Sequence, residues 1–245
     1  MKRISGIISY DGTGFSGYQV QPKQRTVQGE LEKVLRRIHK GEYVKTTASG
    51  RTDAGVHAVG QVFHFDTGLS IEPGGWIRAL NAQLPSDIRI VSMGNVHSDF
   101  HARFDVTEKE YRYRIFNGEH SHVFRRNYTY HIPYALDVEA MKQATSYFVG
   151  THDFTSFCST KSVVKNRVRT IYKLDLVEDA DELVVIVKGN GFLYNMVRII
   201  VGTLLDVGSG RITADILPPM MEAKDRNAAG KTAPAHGLYL WHVSY

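Results

Sequence analysis

The chain opens on a short apolar-rich stretch, Arg3–Tyr10, that reads as a strand. Over Thr26–Lys40 the period becomes helical, with Val27, Leu31, Val34, Leu35 and Ile38 on one face and Arg36, Arg37 and Lys40 toward the other. Thr26 stands before the apolar run as an N-cap. Strands are predicted over Tyr43–Ser49 and Ala58–Thr67, a helix over Pro73–Gln83 and a strand over Ile88–Gly94. The order strand, helix, two strands, helix, strand predicts an α+β unit with its helices on one face of a mostly antiparallel sheet.

The stretch His101–Asp105 marks a crossover into a second half. Along Lys109–Phe116 strict alternation puts Tyr111, Tyr113 and Ile115 on one face and Arg112 and Arg114 on the other. Asp137–Val149 is a predicted helix with Met141, Ala144, Thr145 and Phe148 inward, and Leu183–Lys188 is a predicted strand. The helix predicted over Phe192–Leu205 is apolar nearly all round and is expected to be buried. Arg198 stands in its middle, and a buried guanidinium demands an anion, for which Gly202 one turn on leaves room. Gly208 and Gly210 end this helix, Thr213 can cap a short one, and Ala233–Val243 predicts a closing, central strand. The expected fold class is α+β in two similar halves, residues 1–105 and 106–245, each a mostly antiparallel sheet with helices on one face.

Charge adds to this picture through its distribution. The 245 residues carry 30 Lys+Arg against 25 Asp+Glu, a net charge of +5. The sequence pI of about 9.2 is only mildly basic. Between Phe154 and Leu174, however, stand Lys161, Lys165, Arg167, Arg169 and Lys173 without one carboxylate. With Phe154, Phe157 and Tyr172 beside them, they predict a phosphate-contacting surface. The single cysteine, Cys158, excludes an intrachain disulfide or a cysteine-based zinc site and fits a reducing compartment. Asp11 ends the N-terminal apolar run short of a signal peptide or membrane span, so a cytoplasmic protein is expected. His97 and His101, four apart, lack the surrounding pattern of a zinc helix, and His57 and His64 face opposite sides of a strand, so no catalytic metal is expected.

The chemistry concentrates in Thr46–Phe65. Arg51 and Asp53 sit among Gly50, Ala54, Gly55 and Ala58, where the lack of bulk lets another molecule approach the carboxylate. A plain hairpin loop whose aspartate caps backbone amides accounts for the same residues. Gly12, Gly14 and Gly17 match a dinucleotide-binding spacing, yet Tyr18–Pro22 follows where a helix is required, which rejects that reading. The loop then offers its amides to a phosphate or serves as a flexible turn. Cys158 could be imagined as a nucleophile, but no histidine or acid neighbours it, so a structural thiol is expected.

Gly50–Ala58 resembles the catalytic motif of the tRNA pseudouridine synthase A family. Tyr10–Thr13, Phe100–Phe104, Tyr111–Tyr113, Phe192–Arg198 and Ala235–Leu240 follow in that family's order. Two departures, Ile199 where asparagine is frequent and Gln83 where an apolar residue is usual, touch no catalytic position. The resemblance implies isomerisation of uridine to pseudouridine at positions 38, 39 and 40 of the tRNA anticodon stem-loop by a cofactor-free homodimer, with the active-site cleft between the halves. It implies that Asp53 is the nucleophile, adding to C1′ or to C6, or a base at the ribose; these alternatives stay open. Arg198 then keeps Asp53 ionised, Tyr111 stacks on the uracil and is a candidate base at C5, and Arg51 fills the place of the flipped base or grips its phosphate. Arg112, Arg114, Lys161, Lys165, Arg167 and Arg169 complete the expected substrate-binding surface. A non-catalytic RNA-binding protein or RNA chaperone, or a uridine C5-methyltransferase using Cys158, are the competing classes.

Overall fold

A computed structural model describes all 245 residues. The chain forms two compact units, one of residues 1–107 with 239–245 and one of residues 108–238.

The first unit begins with β1 (Lys2–Tyr10), α1 (Val27–Ile38), β2 (Thr47–Ala48), β3 (His57–Thr67), α2 (Pro73–Asn81) and β4 (Ile88–Val96). β1 lies antiparallel between β3 and β4. The alternation along β1 turns Ile4, Gly6, Ile8 and Tyr10 inward. Ile4 pairs with Phe65 and Gly6 with Phe63, so the inward face meets an aromatic pair. Trp76 of α2 sets its edge on Phe65, ring centroids 5.2 Å apart, and His39 after α1 stacks on Trp76 at 5.8 Å. Val27, Leu31, Val34 and Leu35 are buried, and the Thr26 hydroxyl caps α1 by accepting from the Gly29 amide. Each fully buried side chain of this size contributes roughly 1.5–3 kcal/mol.

The expected strand Tyr43–Ser49 shrinks to the two residues of β2. Glu32, buried on α1, accepts from the Thr46 amide at 2.8 Å, the Thr46 hydroxyl at 2.9 Å and the Tyr43 hydroxyl at 2.9 Å. The carboxylate takes the Thr46 amide, a donor that a ladder would have used.

The second unit contains β5 (Glu108–Asn117), β6 (Tyr130–Ile132), α3 (Val138–Thr145), β7 (Gly150–Asp153), β8 (Val168–Asp179), β9 (Glu182–Gly189), α4 (Met196–Gly208) and α5 (Leu217–Glu222). Antiparallel pairing runs β7, β8, β9, β5, and β6 adds in parallel to the end of β5. Tyr113 and Ile115 of β5 are fully buried, as expected for their face. Met141, Ala144, Thr145 and Phe148 form the buried stripe of α3 and the turn after it. In α4 every residue except Arg198 and Asp206 is buried, as its continuous apolar character requires. It starts at Met196, because Asn195 adopts φ 62° and breaks the helical path from Phe192.

The last strand, β10 (Leu238–Ser244), corrects the expected division. Tyr239 and Leu240 pair in parallel with His57 and Ala58 of β3, and the Tyr239 ring stacks on His57 at 4.7 Å. A side chain at Gly60 would meet the Trp241 carbonyl at 2.5 Å, so the glycine admits that backbone. The Tyr245 hydroxyl donates to the Ala102 carbonyl at 2.7 Å. Parallel pairing is non-local, which is why proximity in sequence assigned this strand to the wrong half.

Candidate active site

Asp53 lies in the loop from Ser49 to Val56, between β2 and β3, and that loop is fastened from several sides. The Tyr10 and Thr52 hydroxyls share a buried hydrogen bond of 2.7 Å. The Tyr18 amide donates to the Thr52 carbonyl at 3.1 Å, and the Gly55 amide donates to the Phe15 carbonyl at 3.3 Å. Gln61, fully buried, donates to the Gly50 carbonyl at 2.8 Å and meets the Ser49 hydroxyl. The Val56 amide closes a turn on the Asp53 carbonyl at 3.1 Å. Asp53 itself is half-buried, and Arg51 beside it is exposed with its Nε on the Gln19 Oε1 at 3.1 Å.

The glycine segment Gly12–Gly17 explains how this loop is held. Four of its amides are used within the protein: Gly12 on the His57 Nδ1, Thr13 on Asp11, Phe15 on the Gly12 carbonyl and Ser16 on the Arg25 carbonyl. Those four amides are thereby taken from the phosphate contact that the sequence suggested as one alternative. A Cβ at Gly12 would overlap the Val56 carbonyl, and one at Gly17 would stand 2.7 Å from the Thr52 carbonyl. Gly17 also has φ 93°, a conformation that costs other residues strain. The segment is a cradle for the Asp53 loop, and Tyr10, Gly12, Gly17, Tyr18 and Gln61 are positioning residues that sequence reading missed. The spacing of the three glycines was the available signal, attached to a different chemistry.

In the second unit Tyr111 is buried, its ring edge-on to Phe192 at 5.3 Å. Arg198 is half-buried in the first turn of α4, a correction to its expected burial at mid-helix. Its Nε donates to the Ala233 carbonyl at 2.7 Å and its Nη1 to Asn195 Oδ1 at 3.0 Å. The Ala233 amide returns a bond to the Arg198 carbonyl at 3.0 Å. Next to it, the Tyr113 hydroxyl donates to the Pro234 carbonyl at 2.8 Å. Burial pushes the Tyr113 phenol well above its ordinary value against the opposing pull of Arg198, so it remains a proton donor. The room at Gly202 is filled: a Cβ there would overlap the Lys231 carbonyl. The segment Lys231–Pro234 thus aims Arg198, a role no local motif announced.

The expected binding residues divide into two groups. Arg112 pairs with Glu110 at 2.7 Å and Arg114 with Glu182 at 2.6 Å, both carboxylates being buried. Burial pushes Glu110 up, but hydrogen bonds from Arg112 and Lys188 outweigh it and hold the carboxyl below its ordinary value. Lys173 pairs with Asp175 at 2.6 Å. Lys161 and Lys165 are exposed and Arg167 half-exposed, and no carboxylate pairs with any of them. Arg169 folds back onto the Asn166 and Val168 carbonyls, and burial pulls its guanidinium below the usual arginine range. Phe154 and Phe157, expected on the surface, are fully buried, whereas Tyr172 is exposed. Cys158 is buried with its thiol directed to the Ser159 carbonyl at 3.5 Å, a structural environment.

Residues 7–105 and 144–245 match the family described as tRNA pseudouridine synthase. The tRNA pseudouridine synthase A of Anoxybacillus flavithermus is 58% identical over 245 residues, covering 100% of this chain and 99% of that protein. The protein of the same name from a Geobacillus species is 59% identical over 244 residues, covering 100% and 98%. The tRNA pseudouridine synthase A 1 of Bacillus cereus is 56% identical over 245 residues, covering 100% and 99%. The first matched block contains the cradled Asp53 loop and the second contains Arg198 with the segment that aims it, while Tyr111 falls between them. Matched in this way through both units, the chain belongs to the tRNA pseudouridine synthase family.

Proposed function

We propose that this chain isomerises uridine to pseudouridine in the anticodon stem-loop of tRNA, at positions 38, 39 and 40, as a cytoplasmic, cofactor-free homodimer. The observation that carries the reading is a half-buried aspartate on a loop fastened by buried hydroxyl, amide and glycine contacts, in a chain of this family. Such fastening is what a reacting carboxylate needs, since its geometry must exist before the substrate arrives. The reaction breaks C1′–N1, turns the uracil, forms C1′–C5, releases the proton from C5 and returns one to N1. Asp53 acts as nucleophile at C1′ or C6, or as base at the ribose. Arg198 keeps that carboxylate ionised, and Tyr111 stacks on the uracil and takes the C5 proton. The target base leaves its stack, with Arg51 filling its place or gripping its phosphate. Lys161, Lys165 and Arg167 meet phosphates, where their lack of carboxylate partners leaves the charge available.

The test uses tRNA transcribed with tritium at uridine C5, incubated with the protein and chelator. Catalytic release of tritium into water without a methyl donor, at unchanged RNA mass and dependent on Asp53, is expected. A C5-methyltransferase requires a donor and adds mass; an RNA chaperone binds and releases nothing. Loss of release in a folded Cys158→Ala protein would overturn the proposal.

A further inference from the structure

The loop between Ser159 and Arg167 carries a feature that phosphate binding leaves unused. Val163 is 94% exposed and its neighbour Val164 43% exposed, in the middle of the most one-sidedly basic stretch of the chain. Single exposed apolar residues are ordinary. Here two consecutive valines stand between Lys161 and Lys165, cations with no carboxylate partner, and Arg167 follows. The loop is closed at its base, where the Phe154 amide donates to the Arg167 carbonyl at 3.1 Å. The Ser159 amide donates to the Tyr194 carbonyl at 3.0 Å, four residues before Arg198. The buried rings of Phe154 and Phe157 root the loop, so its tip projects from a fixed base.

We infer that this loop is a two-part RNA clamp, in which Lys161, Lys165 and Arg167 meet phosphates and Val163 packs on the apolar face of an unstacked nucleobase. The inference rests on the tRNA reading above and adds a contact that charge alone does not supply. Charge complementarity chooses the occupant: the basic flanks repel a second copy of a chain with net charge +5 and attract a polyanion. An apolar side chain set between cations is the arrangement by which proteins hold a backbone and press on a base together.

The test measures direct binding of a fluorescent tRNA to the full-length protein across a salt series, beside thermal melting and sedimentation. Val163→Ser is expected to weaken binding roughly five- to tenfold, the effect of losing one buried valine contact, with the salt slope and melting temperature unchanged. Val163→Ile restores parental affinity. Lys165→Gln flattens the salt slope by about one unit. Parental affinity in Val163→Ser overturns the inference, as does a change in sedimentation without a change in affinity, which assigns the tip to a second copy. If Val163→Ser also lowers the melting temperature, Val163→Ile decides: parental affinity upholds the clamp and weakened binding overturns it. Because binding is read without turnover, absence of tritium release from the parent protein counts against the isomerase reading and leaves this result standing.

Discussion

Two loops of this protein carry charge and are built in opposite ways. The Asp53 loop is gripped along its length: Gly50 by Gln61, Thr52 by Tyr10 and Tyr18, Asp53 by Val56 and Gly55 by Phe15. The loop from Ser159 to Arg167 is held near its ends, at Ser159 by Tyr194, at Arg167 by Phe154 and at Asn166 by Val168 and Arg169, while the stretch from Lys161 to Lys165 is joined by bonds within the loop. The difference fits the roles proposed for the two sets of charges. A carboxylate that meets a reacting carbon must be placed before the reaction, because a misplacement of about 1 Å costs on the order of a hundredfold. Phosphate contacts add through counterion release and tolerate a mobile partner.

The strongest test of the contrast is Asp53→Asn, expected to lower the single-turnover rate by at least about 10⁴-fold while tRNA affinity stays within about twofold. Comparable rates in mutant and parent would remove Asp53 from the chemistry. Gly17→Ala sharpens the contrast without touching a charge. Positive φ and the Thr52 carbonyl oppose the added Cβ, so a loss of about 2 kcal/mol in denaturant unfolding and a roughly hundredfold slower single turnover are expected. Gly41→Ala, with φ 104° and nothing within 4 Å, carries similar backbone strain and should leave the rate unchanged. Equal kinetic effects of the two would show that the cradle does not position Asp53.

Tyr10→Phe removes the hydroxyl that holds Thr52, and a loss of about 1 kcal/mol with a rate roughly tenfold lower is expected. A parental rate would place the control of the loop in its backbone contacts alone. The smallest effect separates kinds of arginine and lysine. Lys161→Gln should flatten the salt dependence of tRNA binding by about one unit, whereas Arg114→Gln should leave the slope as it is, because Glu182 already neutralises that guanidinium. A flattened slope for Arg114→Gln would show that β5 faces the RNA.

The elements were legible in the chain wherever burial is periodic. Val27 to Leu35 of α1, the alternation of Tyr111, Tyr113 and Ile115 on β5, and the apolar surface of α4 each reflect one local geometry repeating against a core. Asp53 and Arg198 stand out in the sequence as candidates, a carboxylate among small residues and a guanidinium in an apolar helix. What the tertiary structure decided are the partners. Arg112 and Lys161 look alike in sequence, yet one meets a carboxylate on its own strand and the other meets none. Phe154 and Phe157 are rooted inward while Val163 points out, although the pattern suggested the reverse for the aromatics. The glycines at 12, 17 and 202 state that something approaches closely without saying what; the Val56, Thr52 and Lys231 carbonyls answer, from distant parts of the chain. β10 returns to β3 across the whole sequence because parallel pairing is set by which strand edge lies open, a property of the assembled sheet.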